Sequence, residues 1–417
     1  MIMHFRTIMH AGSPRPRPAR TGTGCMIVRK CMIVRKWMIT AGLAAAGGRR
    51  RTYGGGMTPV SPAPAPVDLL VDWDLAARTA AVVGRPGPQI PPDEAAQVVA
   101  ELRTASAAAT GHVTGITGLV APAGPPVLVV DRPGWARANT TAFRSLLAPV
   151  VAETFERRGK LPSGGLTAVG SRITGAELGS LLGILSSRVL GQYDPFSGED
   201  AGEPGRLLLV APNVVHVENE LGVPARDFRL WVCLHEETHR VQFSATSWLA
   251  EHLIGEIRGL VGDLLIEPAQ LAERLAEALR SVPELLRGGT TSPLLEAIQT
   301  PEQRRRLARL TAVMSLLEGH ADVVMDLAGP QVVPSVETIR ERFDQRRAGR
   351  GVIDQILRRL LGLEAKMRQY ADGARFVRGV LAEVGMTGFN AVWTSPNTLP
   401  EPAEITDPAA WVRRVHG

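Results

Sequence analysis

Apolar residues recur at three- and four-residue intervals over Asp74–Val83 and Asp93–Ala109, each run with acids near its start. That spacing predicts two amphipathic helices. Gly111–Val120 and Val127–Val130 are short apolar runs bounded by Pro122, Pro125 and Pro126 and read as strand or loop. Thr140–Arg158 and Thr174–Leu190 return to helical spacing, the second rich in Gly, Ser and Leu. Arg206–Val215 (RLLLVAPNVV) is a continuous apolar run after Gly205 and is the best strand candidate. Asp227–Phe243 follows as a strongly patterned helix with Asp227 as its expected N-cap. Beyond Trp248, helices are expected over residues 249–265, 268–280, 302–327, 335–346 and 350–382, before an irregular Pro-rich end that closes on Trp411–Val415. The pattern predicts a mainly α chain with a small β-sheet, an α+β fold.

Composition changes this picture mostly by subtraction. With 417 residues, 45% apolar and 21% charged, the chain can bury a core without disulfides. Its net charge of +6 is unevenly spread: residues 1–56 hold 11 Arg and Lys and no acid, which leaves 36 basic against 41 acidic residues in the rest. A mildly acidic body argues against a nucleic-acid partner, which calls for a basic stripe on folded structure. No window holds 18 uninterrupted apolar residues, so no membrane span is expected. Three cysteines (Cys25, Cys31, Cys233) cannot frame a chain this long with disulfides and suit a reducing, cytoplasmic setting.

Residues 25–36 are a tandem duplication, CMIVRKCMIVRK, followed by a weak apolar run and Arg49–Arg51. This order fits a signal peptide only loosely. Residues 1–67 are expected to be a disordered basic and Pro-rich extension, with Met57 as the natural start. The body is expected to run from 68 to 417: a helical part to 200, a catalytic core over 201–330 and a helical part from 331.

The chemistry lies in residues 235–239, HEETH. His235 and His239 are one turn apart on the expected helix, so both imidazoles leave one face within reach of one ion. Glu236 is one residue further round, where a general base sits beside a metal-activated water. Leu230, Trp231, Cys233, Leu234 and Val241 give this helix a buried face, and buried histidines need partners that a metal supplies. Two imidazoles leave Zn²⁺ short of one protein ligand. A compact third-histidine arrangement would need Gly at 242 and His at 245, where the chain has Gln242 and Ala245.

The third donor is therefore sought on a later helix. In residues 316–326, LLEGHADVVMD, Glu318 and Asp322 share a face one turn apart inside an apolar stretch. Two acids so placed want a cation. Glu318 is the expected ligand, and Asp322 is expected to accept the free N–H of a ligand histidine and fix its tautomer. His320 points to another side of that helix.

DFRLWVCLHEETHRVQF (Asp227–Phe243), the upstream GQYDPF (Gly191–Phe196) and VAPNVV (Val210–Val215), and EGHADVVMD (Glu318–Asp326) together resemble the zincin-like metallopeptidases of actinobacteria. VDWDLAARTA (Val71–Ala80) and NTLPEPAEITDPAAWVRRV (Asn397–Val415) extend the resemblance to about residues 68–417. That family is also catalogued as a domain of unknown function or hydrolase, and some members are associated with deazaflavin coenzyme biosynthesis. The resemblance implies a zinc-metalloprotease-like fold around an HExxH helix and leaves the substrate unassigned.

Other features rank lower. Tyr193 is a candidate donor to a developing oxyanion, although a tyrosine anchored in a turn is the plainer reading. Val217-Glu218-Asn219 only faintly suggests an amine-binding element. His216 and His252 are expected on the surface or in the core, Arg240, Gln242 and Trp248 as braces of the active helix, and Cys233 as a small core residue. Three readings follow: a zinc-dependent hydrolase cleaving peptide or protein substrates, with Arg206–Val215 as a sheet edge that aligns an extended peptide; a catalytically silent zincin-like module in which zinc staples two helices; and a basic surface-binding protein, which rests on the tail alone. The first is favoured, because a staple has no need of Glu236.

Overall fold

The computed structural model describes residues 65–122, 124, 126–158, 165–197, 205–265, 300–348 and 363–417. The duplicated basic tail, the helix expected at 268–280 and residues 350–362 lie outside them. The described chain opens earlier than residue 68: Pro66–Leu69 form a 3₁₀ turn that buries Val67.

The first helix, α1 (Trp73–Val83), starts where the Asp72 carboxylate accepts from the Leu75 N–H at 2.8 Å. The second, α2 (Pro92–Thr117), takes in Gly111–Thr117 of the segment expected as strand or loop and stops at Gly118, whose φ of 67° ends it in the left-handed region. Burial of Val113 and Thr117 on its inner side outweighs the low helix propensity of Gly111 and Gly115, which face open space. Next come β1 (Leu128–Val130), α3 (Arg132–Arg158), α4 (Gly165–Ser186), β2 (Gly191–Asp194) and β3 (Arg206–Val210).

The small sheet has the order β1-β3-β2, parallel between β1 and β3 and antiparallel between β2 and β3. Central β3 is covered on both faces, and Leu207, Leu208, Leu209 and Val210 are all buried, which explains its unbroken apolar run. The strand ends five residues sooner than Arg206–Val215 suggested, because α5 (Ala211–Leu221) begins there with Pro212 in its first turn, a position that needs no N–H donor. With a strand on each side, β3 is no sheet edge, so the expectation that it aligns an extended peptide is overturned.

The remaining α-helices among the described residues are α6 (Ala225–Ser244), α7 (Leu249–Leu265), α8 (Pro301–Val332), α9 (Val336–Ala348), α10 (Leu363–Phe389) and α11 (Pro408–His416). Asp227 lies inside the first turn of α6 instead of capping it. Its carboxylate accepts from the backbone N–H and hydroxyl of Ser335 at 2.9 and 2.7 Å, at the entrance to α9. Helix α6 is wedged between α2, α8 and strand β2, and α10 packs along α8. A mainly helical chain with one small sheet is the α+β fold expected. Among the described residues no helix is long and apolar enough to cross a membrane.

Candidate metal centre

Helix α6 buries nearly its whole circumference, including Glu236, Glu237, Thr238, His239 and Gln242. So many buried polar groups on one helix require partners, and they find them on α2, α8 and β2 and within α6 itself. Glu237 accepts from Ser106 of α2 and from Arg240 at 2.5 Å, and Arg240 also donates to Thr110 at 2.8 Å. This side ties α6 to α2. The opposite side faces α8.

There, His235 and His239 bring their Nε2 atoms to 3.2 Å from each other. Glu318 of α8 places Oε1 3.3 Å from His239 Nε2 and Oε2 3.8 Å from His235 Nε2. Among the described residues these are the group whose donor atoms converge as a metal site would require, all within 4.8 Å of one another. Zinc with Zn–N distances near 2.0–2.1 Å and tetrahedral angles spaces neighbouring donors by about 3.4 Å. The separations of 3.2 and 3.3 Å are of that size, the 3.8 Å contact is made through the other carboxylate oxygen and is somewhat longer, and two imidazoles with one carboxylate are a donor set suited to zinc. The residues present therefore fit the ion.

The electrostatics point the same way. Burial alone would make His239 harder to protonate, yet the Glu318 carboxylate beside it raises its pKa to about 9. Burial likewise pushes the Glu236 carboxyl up to about 8; His239 opposes this while Glu318 and Glu237 add to it. The shift of His239 reports the Glu318 carboxylate beside it, a buried negative group that favours a positive partner at the imidazoles.

Glu236 rests on the sheet. The Tyr193 N–H of β2 donates to its carboxylate, and the carboxylate lies directly against the Cα of Gly191. Tyr193 thus reaches Glu236 through its backbone. Its hydroxyl hydrogen-bonds Ser244 at the last turn of α6 and lies against Gly205, and its ring packs 5.7 Å from Phe243. Asp322 is half-buried one turn after Glu318, and its carbonyl accepts from Arg340 at 3.3 Å.

Two further residues belong here: Gln242, expected as a brace of the active helix, and His320, expected to point elsewhere. Gln242 accepts from His239 Nδ1 at 2.9 Å. His320, fully buried and stacked 5.2 Å from Phe389, meets Gln242 through Nδ1 at 2.9 Å. Burial first, and then the charge of His239, hold His320 down to about 3, so it stays neutral. The signal for both was present as polar residues inside otherwise apolar runs.

The weaker candidates separate from the site. His216 is exposed and faces Glu220 at 3.6 Å, and His252 sits beside Trp248 with ring centroids 5.9 Å apart. Glu218 is buried against Arg229 at 2.6 Å, a structural pair that removes the amine-binding reading. Cys233 is buried, and desolvation pushes its thiol well above the ordinary range, leaving it inert.

A crystal structure from Chloroflexus aurantiacus described as a "putative hydrolase with a novel fold" is similar to this chain, with 30% identity and a TM-score of 0.58, covering 83% of this chain and 99% of the other. No curated protein matches. The model of the zincin-like metallopeptidases matches residues 71–412, spanning every helix from α1 to α10 and most of α11. The chain belongs to the zincin-like metallopeptidase family.

Proposed function

We propose that the protein is a zinc-dependent hydrolase that cleaves an amide bond in a peptide or protein substrate. His235, His239 and Glu318 would hold the ion, and Asp322 would orient a ligand imidazole. A bound zinc ion supplies Lewis acidity toward a water and toward the substrate carbonyl, at the position that three protein donors leave open. Glu236 accepts the proton of the attacking water at its carboxylate. The new C–O bond forms as the C–N bond breaks, and Glu236 returns the proton to the departing nitrogen. The Tyr193 N–H and the Gly191 backbone orient that carboxylate throughout.

The observation that carries this reading is the seat of Glu236 beside the three donors. A structural staple closes its fourth position with protein and has no use for a buried carboxyl at that point. The relative's description as a hydrolase supports the same class. Glu236→Gln tests it: zinc content and fold should survive while cleavage of a peptide library falls by about 10²-fold or more. Cleavage at the wild-type rate in the Gln variant, or in the presence of a chelator, would refute the mechanism.

A further inference from the structure

We infer that Gln242 is the positioning residue that fixes the metal-binding tautomer of His239, with its amide held in one orientation by the Leu317 carbonyl and by His320. This rests on the reading of His239 as a metal ligand. The argument begins at Leu317, whose backbone oxygen can only accept. Gln242 Nε2 lies 2.9 Å from it, so the –NH₂ end of the amide faces that carbonyl. A flipped amide would set oxygen against oxygen inside a buried site, with neither satisfied. Gln242 Oε1 therefore faces His239 Nδ1 at 2.9 Å, and Nδ1 must carry the hydrogen of that bond. A neutral His239 then has its lone pair on Nε2, the nitrogen that lies 3.3 Å from Glu318 and 3.2 Å from His235.

The second amide hydrogen of Gln242 goes to His320 Nδ1 at 2.9 Å. His320 is in turn gripped by Phe389 and Trp393, at centroid separations of 5.2 and 5.4 Å. Gln242 and His320 have no exposed surface, so neither amide nor ring can satisfy itself with bulk water. Each proton in the relay is thus assigned by a neighbour that has no alternative. A backbone carbonyl on α8 sets an amide on α6, which sets the imidazole beside it. The helix that carries Glu318 and the helix that carries the histidines are registered to each other through one side chain. A glutamine also differs from a carboxylate in this place: it supplies the acceptor that His239 needs and adds no further acid to a site that already holds Glu236 and Glu318.

The test uses the full chain and reads zinc affinity by chelator competition beside the melting temperature of the apo-protein. Gln242→Leu should weaken zinc binding by about 10–100-fold, the usual loss when the partner of a ligand histidine is removed. His320→Phe keeps the stack on Phe389 and Trp393 but cannot accept from Gln242, and should weaken zinc less. Because His320 acts through Gln242, the double variant should bind zinc as Gln242→Leu does. Effects that add, or a Gln242→Leu affinity within two-fold of wild type, would overturn the inference, because a merely structural glutamine lowers the melting temperature without changing zinc affinity. If Gln242→Leu does not fold, Gln242→Met decides: it has nearly the length of the glutamine and offers His239 no amide oxygen, so a similar loss of about 10–100-fold is expected, and affinity within two-fold of wild type overturns the role. A wild-type protein that binds no zinc would defeat the ligand assignment itself, whereas unchanged binding in the variants defeats only the role of Gln242.

Discussion

A methyl group at Gly191 would stand 2.5 Å from Cγ of Glu236 and 2.9 Å from its Oε1. The glycine is not in the left-handed region, so its backbone would accept alanine; only the contact with Glu236 forbids a side chain. Gly191→Ala should therefore push the carboxylate from its seat while leaving the histidines and Glu318 in place. Turnover is expected to fall about 10- to 100-fold, as for a misplaced general base, with zinc stoichiometry unchanged. Unaltered turnover would show that Glu236 does not work from this position.

Removing the metal should cost stability as well as activity. A ligand that binds only the folded state stabilises it by about 4 kcal/mol at a thousandfold excess over Kd, so a chelator should lower the melting temperature measurably. His235→Ala should abolish stoichiometric zinc, and Glu318→Ala should weaken it strongly. Asp322→Ala should cost only about 10–100-fold in affinity. Full affinity in Glu318→Ala would displace it from the ligand set.

What the chain revealed in advance follows from how local each signal is. His235 and His239 are one turn apart, so their convergence depends on α6 alone. Glu318 stood out because an acid buried among Leu316, Leu317, Val323 and Val324 requires a cation or a donor. Tyr193 stood out only for its hydroxyl, and neither its backbone contact with Glu236 nor that of Gly191 gave such a sign. Strand β2 is four residues long and buried throughout, so it has no polar–apolar alternation to read, and its task depends on which helix lies beside it. Gln242 and His320 sit on different helices, and only the packing of α6 on α8 makes them partners. The strand and helix of Arg206–Leu221 ran together for a related reason: a continuous apolar run is compatible with a buried strand and with a buried helix. Asp227 was misread because its carboxylate serves Ser335, 108 residues further on.

Arg229 offers a test of stability away from the metal. It is buried between Glu218, at 2.6 and 3.0 Å, and Glu101 of α2. Removing it leaves Glu218 buried without its cation, a change that typically costs about 3–5 kcal/mol. Arg229→Ala should lower the denaturation midpoint accordingly. Zinc affinity should stay within two-fold of wild type, because the pair lies more than one turn before His235. A large loss of affinity would mean that α6 transmits strain along its length.

Two glycine contacts separate packing in general from packing behind the site. At Gly319, next to Glu318, an added Cβ would meet the backbone of Gly373 in α10 at 2.2 Å. At Gly179 in α4 it would meet the Ala76 carbonyl oxygen of α1 at 2.3 Å, in the part of the core that holds Leu178 and Leu182. Both are backbone-to-backbone approaches that no rotamer can relieve, so alanine at either position must drive two helices apart. Overpacking of this kind costs about 1–3 kcal/mol, and both variants should lose that stability as apo-proteins. Their zinc affinities should differ. Gly319→Ala moves the turn of α8 that carries Glu318 against an α6 held independently by α2 and β2, so the donor geometry of 3.3 and 3.8 Å opens and affinity falls. Gly179→Ala displaces α4 from α1 and leaves α6 and α8 untouched. Equal affinities in the two variants would show that Glu318 adjusts freely to shifts of its helix, and that the packing of α10 on α8 has no part in holding the metal site.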